Sequence, residues 1–260
     1  MNRQSNSIFL NVWMISTYLL MITVNALANI LPINGQNTGE ISDKYRNLFA
    51  PAGFTFSIWG VIYLLLAFHI VYQLGLFRRN SSHQLLRQVA VYFTVSSVLN
   101  ALWIFCWHYD KLYLSVLIMI GMLLTLLKIN NITTATSLSW KEKIFIRLPF
   151  SVYFGWITIA TIANITALLV SIDWNGFGIS EVTWTIIILF TGAIIGIMTI
   201  LHQQGFSYGL VLLWAYYGIY SKHIAESGFD RQYPTIINSI LVCIVLIAVV
   251  MTFTAIWKRR

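Results

Sequence analysis

Apolar runs of about twenty residues alternate with short polar segments along the chain, at approximately 8–30, 53–76, 88–108, 112–131, 147–171, 181–201, 206–222 and 235–257. A helix of that length crosses the hydrocarbon core of a bilayer, and it satisfies its own backbone N–H and C=O groups where water cannot. The period-two alternation of a membrane barrel strand is missing. The pattern predicts an all-α integral membrane protein with eight spans. The narrowest break, His202-Gln203-Gln204-Gly205, is still required, because one helix running through it would be far too long for a bilayer. Ala26-Leu27-Ala28 has the small-residue form of a signal-peptidase site, but the run before it is longer than a signal h-region. That run also carries Asn11, Ser16, Thr17 and Asn25, which suit a helix packed in a bundle. The first span is expected to be retained.

Composition agrees. Hydrophobic residues make up 58% of the 260 and charged residues 9%, against about 25% charged in an ordinary soluble domain. The spans consume most of the chain, which leaves no length for a separate soluble domain.

The distribution of Lys and Arg sets the expected orientation. With the N-terminus inside, Arg3, Arg78, Arg79, Arg87, Lys128, Lys141, Lys143, Arg147, Lys258, Arg259 and Arg260 lie on the cytoplasmic side, 11 of the 16 cationic residues. Lys44, Arg46, Lys111, Lys222 and Arg231 are the other 5. The positive-inside rule then puts both termini in the cytoplasm, and the plasma membrane is the expected location. The net charge of +8 points to membrane lipids with anionic headgroups as partners rather than nucleic acid, since no basic helix or aromatic-basic sheet pattern is present.

Catalytic chemistry finds little support. Glu40, Asp43, Asp110, Glu142, Asp173, Glu181, Glu226 and Asp230 all fall in loops or at span ends. Paired carboxylates inside the bundle are therefore absent, which weighs against an acid–base enzyme and against a proton- or sodium-coupled transporter. Gly205-Phe206-Ser207-Tyr208-Gly209 matches Gly-x-Ser-x-Gly, but it opens a membrane helix rather than joining a strand to a helix. Its glycines instead mark a break and close helix packing. His69 is the one histidine deep in a span, and Cys106 and Cys243 form no CxxC motif. A structural role for His69 and an apolar role for both cysteines are expected, with no metal site.

Two polar or aromatic patterns remain to be explained. Phe56, Trp59 and Tyr63 stand at i, i+3 and i+7 after Pro51, so a helix here would carry three π-surfaces on one face. Interfacial anchoring, helix packing or a flat apolar ligand would each use such a stripe. Asn100 and Asn164 lie inside spans, where an amide must find partners on a neighbouring helix, either as interhelical glue or against a ligand.

A family resemblance rests on these residues. Leu99-Asn100-Ala101-Leu102-Trp103 resembles the Leu-Asn-x-x-Trp motif in the third helix of the TspO/MBR family, the tryptophan-rich sensory proteins related to the mitochondrial translocator (peripheral benzodiazepine receptor) protein. Trp107 stands at an aromatic position of the same helix. Trp156-x3-Ala160-Thr161-x2-Asn164 is similar to that family's Trp-x-x-Phe-Ala-Thr-x-x-Asn in the fifth helix, with Ile159 replacing phenylalanine. Pro51, Trp59 and Tyr63 match the second-helix pattern Pro-Pro-x-Trp-x-Phe-x-Pro-x-Trp-x3-Tyr, where Ala50, Gly53, Thr55 and Ser57 depart from it. These motifs cover residues 8–171, so the last three spans look like an extension of the usual five-helix domain.

The resemblance implies a TspO-like five-helix bundle at 1–172 followed by about three additional transmembrane helices at 173–260. It implies a pocket for a tetrapyrrole or a sterol- or isoprenoid-like lipid, with Phe56, Trp59, Tyr63, Asn100, Trp103, Trp107, Trp156, Ala160 and Asn164 lining or bracing it. A porphyrin or haem-type molecule enters as ligand; no resident cofactor follows. The long first loop, Leu31 to Ala50, would act as a lid. The implied role is sensor, carrier or regulator of a hydrophobic small molecule. The tryptophan replaced by Gly53 weighs against the porphyrin breakdown discussed for the family. A small-molecule permease and a membrane enzyme acting on a tetrapyrrole or isoprenoid are the alternatives. The last three spans offer Gly192, Ala193, Gly196 and Gly218 as close-packing positions for an added layer or a homodimer contact.

Overall fold

The apolar runs form helices at the places the pattern predicts. The computed structural model describes residues 3–31, 33–76, 82–203 and 205–257. Arg78, Arg79, Lys258, Arg259, Arg260 and Gln204, which entered the orientation and span-break arguments, lie outside the described residues. Helices α1 (Arg3–Ile30), α2 (Thr38–Lys44), α3 (Ile58–Gln73), α4 (His83–His108), α5 (Leu112–Ala135), α6 (Trp140–Glu142), α7 (Leu148–Ser171), α8 (Glu181–Gln203), α9 (Phe206–Ile224) and α10 (Pro234–Trp257) follow one another, with no strand among the described residues. A π-helical turn, Lys143–Arg147, joins α6 to α7, and a 3-10 turn, Gly53–Ser57, precedes α3.

Local chemistry sets several helix ends. The Ser82 side chain accepts from Leu85 N at the start of α4, and Ser139 with Glu142 forms a reciprocal capping box at the start of α6, which relieves N–H groups that a helix leaves without partners.

Among the described residues seven helices are long and apolar enough to cross a bilayer, rather than the expected eight. The exception is α9, which forms at the predicted place but is diluted by Tyr208, Tyr216, Tyr217, Tyr220, Lys222 and His223. The reason lies in its packing. Its inner face is buried among other helices, and two of its tyrosines serve as interhelical donors: Tyr208 Oη to Thr158 Oγ1 at 3.2 Å and Tyr216 Oη to the Leu189 carbonyl at 2.5 Å. Helix α10 shows the contrasting case, with Val242, Val245, Val249 and Phe253 exposed as a lipid-facing surface.

The chain forms two compact units. Met1–Thr38 with Trp59–Phe154 makes the first, and Gly39–Ile58 with Gly155–Arg260 the second. In unit 1, α4 packs between α1 and α5. Its core holds His69, Phe93 and Phe150 as an aromatic cluster with centroids 4.8 to 5.7 Å apart. His69 is fully buried there, and its Nδ1–H donates to the Phe145 carbonyl of the π-turn at 2.9 Å.

In unit 2, small residues let backbones approach. A Cβ on Gly155 of α7 would stand 3.0 Å from Val211 and 3.1 Å from the Tyr208 carbonyl of α9. Gly192 and Gly196 of α8 face Tyr216 and Leu212, and Gly218 of α9 faces Thr55 so closely that a methyl group would collide with the threonine side chain. These glycines are used in packing within the chain.

The connection from α1 to α3, expected as a mobile cover, is instead structured and tied down. In unit 1, His108 Nδ1–H donates to the Ile33 carbonyl at 3.0 Å, and Asn34 Nδ2 donates to the His108 carbonyl at 2.8 Å. In unit 2, Lys222 pairs with Asp43, the His223 ring nitrogen Nε2 bonds the Leu48 carbonyl at 2.9 Å, and Ala52 N donates to the Gly218 carbonyl at 3.0 Å.

Candidate functional site

Five of the nine nominated residues lie in unit 1, on α3 and α4. Helical spacing brings Trp59 over Tyr63, with ring centroids 5.5 Å apart and planes 19° from parallel. The same spacing on α4 stacks Trp103 on Trp107 at 5.7 Å and 20°. Trp59 and Trp103 meet at 6.4 Å and 33°, so four rings form one ladder across two helices. Tyr153 closes its side, edge-on to Trp59 at 5.9 Å and 68°. Such offset and edge geometries are the favoured ones for π-systems.

Exposure differs along the ladder. Trp103 and Trp107 are buried, and Trp107 Nε1 donates to the Thr38 carbonyl at 3.2 Å. Trp59 and Tyr63 are only half-buried. The Tyr63 carbonyl accepts from Tyr18 Oη at 2.8 Å, but the Tyr63 hydroxyl is shielded from solvent and has no hydrogen-bond partner among the described residues. A buried hydroxyl in that state calls for a physical explanation.

Asn100, the fifth of these residues, has a different surrounding. It is fully buried and donates to Tyr153 Oη at 2.8 Å while accepting from Asn25 Nδ2 at 2.7 Å. Tyr153 Oη in turn donates to Met122 Sδ at 3.0 Å. Four helices are linked by this chain of bonds, which is the glue arrangement expected of an intramembrane amide.

Phe56, Trp156, Ala160 and Asn164 lie in unit 2. Phe56 does not share the α3 face with Trp59 and Tyr63; it sits in the preceding 3-10 turn, and its ring meets Trp156 edge-on at 5.9 Å and 85°. The single stripe read from the i, i+3, i+7 spacing is therefore divided, because the helix begins in earnest only at Ile58. Trp156 and Asn164 are buried and Ala160 is half-buried, all on α7.

Unit 2 also carries a cavity of about 500 Å³, lined among others by Arg46, Asp173, Trp174, Glu181 and Trp184. None of the nine nominated residues lines it. In the sequence Asp173 and Glu181 read only as loop or span-end residues; the available signal was Trp174 and Trp184 on either side of the Asn175-Gly176 turn, with a carboxylate near each.

No curated protein and no solved structure matches the chain. A family model described as TSPO-like protein matches residues 11–253, which takes in the motifs at Asn100-Trp103 and Trp156-Asn164 and extends over α8, α9 and nearly all of α10. The later helices thus fall inside the matched region. With nearly its full length covered by that model, the chain belongs to the family of TSPO-like membrane proteins.

Proposed function

We propose that the protein binds a flat hydrophobic ligand of the tetrapyrrole or sterol/isoprenoid type and acts as its sensor, carrier or regulator. One observation carries this reading: the half-buried Trp59–Tyr63 stack, which leaves part of its π-surface uncovered by protein. An apolar ring system stacked on the pair would replace lipid on the indole face. The buried Trp103–Trp107 pair behind it would hold Trp59 in place rather than touch the ligand over its whole face.

Titration of the detergent-solubilised protein with protoporphyrin, read by tryptophan emission, tests the proposal. Quenching should saturate, and Trp59→Ala should weaken binding several-fold, the equivalent of about 1 kcal/mol for one lost aromatic partner. Trp140→Phe serves as control, since Trp140 is 68% exposed. Equal losses for Trp59→Ala and Trp140→Phe would remove the case.

A further inference from the structure

The cavity in unit 2 opens where α7 stops and α8 begins, the level at which both candidate spans meet the bilayer surface. Its walls combine three chemistries. Leu169 of α7 and Ile188 of α8 give an apolar floor. Trp174 and Trp184, with centroids 5.1 Å apart and planes tilted by 55°, give π-surface. Arg46, Asp173 and Glu181 give charge of both signs, and among the described residues none of the three has a salt-bridge partner.

The turn bearing the first tryptophan is held in an uncommon shape. Asp173 and Phe177 adopt φ of 50° and 55°, in the left-handed region that bulky residues avoid. Gly176, at φ 62°, accepts from Trp184 Nε1 through its carbonyl at 2.7 Å, and a Cβ there would press on the Trp184 ring at 3.0 Å. The loop is thus clamped to α8 by the indole that lines the cavity. Strain of this kind persists where surroundings over-determine it, and it gathers at ligand sites.

We infer that this cavity is a binding site for the head group of a zwitterionic phospholipid. The phosphate is held by the Arg46 guanidinium, whose fork of donors matches phosphate oxygens. The ammonium lies between the Asp173 and Glu181 carboxylates and the indole faces, a cation–π setting. The acyl chains descend along Leu169 and Ile188 into the hydrocarbon. A cavity of one charge sign would select an anionic or a cationic amphiphile, whereas a lining that holds one arginine and two carboxylates selects a molecule carrying both. The volume falls within the range of about 300–1,000 Å³ typical of small-molecule sites. The site shares no residue with the aromatic ladder and stands or falls apart from the tetrapyrrole reading.

Native mass spectrometry of the full-length protein, offered equal amounts of phosphatidylcholine, phosphatidylethanolamine and phosphatidylglycerol in mixed micelles, tests the inference. The two zwitterionic lipids should be retained several-fold over phosphatidylglycerol. Arg46→Gln should reduce their retention several-fold, and Asp173→Asn combined with Glu181→Gln should erase the preference over phosphatidylglycerol. Lys111→Gln, a charge change elsewhere, should alter neither. Equal retention of phosphatidylglycerol by the parent protein would overturn the inference without recourse to any variant, as would losses with Lys111→Gln equal to those with Arg46→Gln. Displacement of the lipid by soluble phosphocholine at millimolar concentration would assign the site to a free head group and overturn the lipid assignment.

Discussion

Asn100 Nδ2 lies 2.8 Å from Tyr153 Oη, and this one bond joins α4 to the first turns of α7 inside unit 1. The Asn100 oxygen is taken by Asn25 of α1 and the Tyr153 hydroxyl hydrogen by Met122 of α5. An asparagine that looks like a ligand contact in the family motif is thus saturated by its own protein, so its first contribution is to the bundle.

Asn100→Leu should lower the thermal midpoint of the solubilised protein by several degrees, because Asn25 and Tyr153 lose partners in a fully buried site. The expected cost is about 1–2 kcal/mol, the range for interhelical polar contacts in membranes. Tyr153→Phe should cost less, and the double variant should cost less than the sum of the two. Strict additivity would show that the two residues do not act as one network.

Tyr63→Phe separates binding from folding. Its hydroxyl has no partner among the described residues, so removing it should leave thermal stability unchanged or slightly raised. Affinity for protoporphyrin should hold, because the stacking ring is kept, whereas Tyr63→Ala should lower it several-fold. A large stability loss would mean that the hydroxyl is already bonded.

Gly218→Ala should be destabilising by about 1–3 kcal/mol through overpacking, since its new methyl would run into the Thr55 side chain. Thr55→Ala in the same protein should recover part of the loss by removing the colliding atoms. Differential scanning fluorimetry of the two single variants and the double variant reads this directly. A double variant no better than Gly218→Ala would place the clash elsewhere.

Topology can be checked with reporter fusions. With both termini cytoplasmic, fusions before Arg3 and after Arg260 should report the same side, and a reporter inserted near Lys111 should report the other. Opposite signals from the two ends would mean that α9 does not cross, which its tyrosine-rich sequence makes the helix to watch.

Most of the helices were legible because lipid imposes a strong constraint: runs such as Leu112–Ala135 and Glu181–Gln203 are continuous in sequence and continuous in structure. What misled was the assumption that periodicity continues across a helix start. Phe56 keeps the spacing of Trp59 and Tyr63, but a 3-10 turn ending at Ser57 changes the angular phase, and no residue type announces that change. The Trp103–Trp107 stack was legible from i, i+4 spacing. The cavity walls were not, because Arg46 is far in sequence from Asp173 and Trp184 and each has an ordinary explanation as a loop or span-end residue. The anchoring of the first loop was hidden for the same reason, since carbonyls such as those of Ile33, Leu48 and Gly218 carry no signature in a sequence.

The π-turn at Lys143–Arg147 works as a phase setter for the helix that follows it. Its ladder is one residue wider than an α-helix, with Leu148 N reaching back to the Lys143 carbonyl, so the chain beyond it carries one more residue than a regular helix would need. Deleting a single residue here would let an ordinary α-helix form with the following residues still on their faces, whereas deleting one from the regular turn just after it would rotate everything beyond by about 100°. Tyr153 would then swing away from Asn100, and Phe150 away from His69. The wide turn is therefore the place at the start of this helix where a change of length by one residue can be absorbed without turning Tyr153 and Phe150 away from their partners.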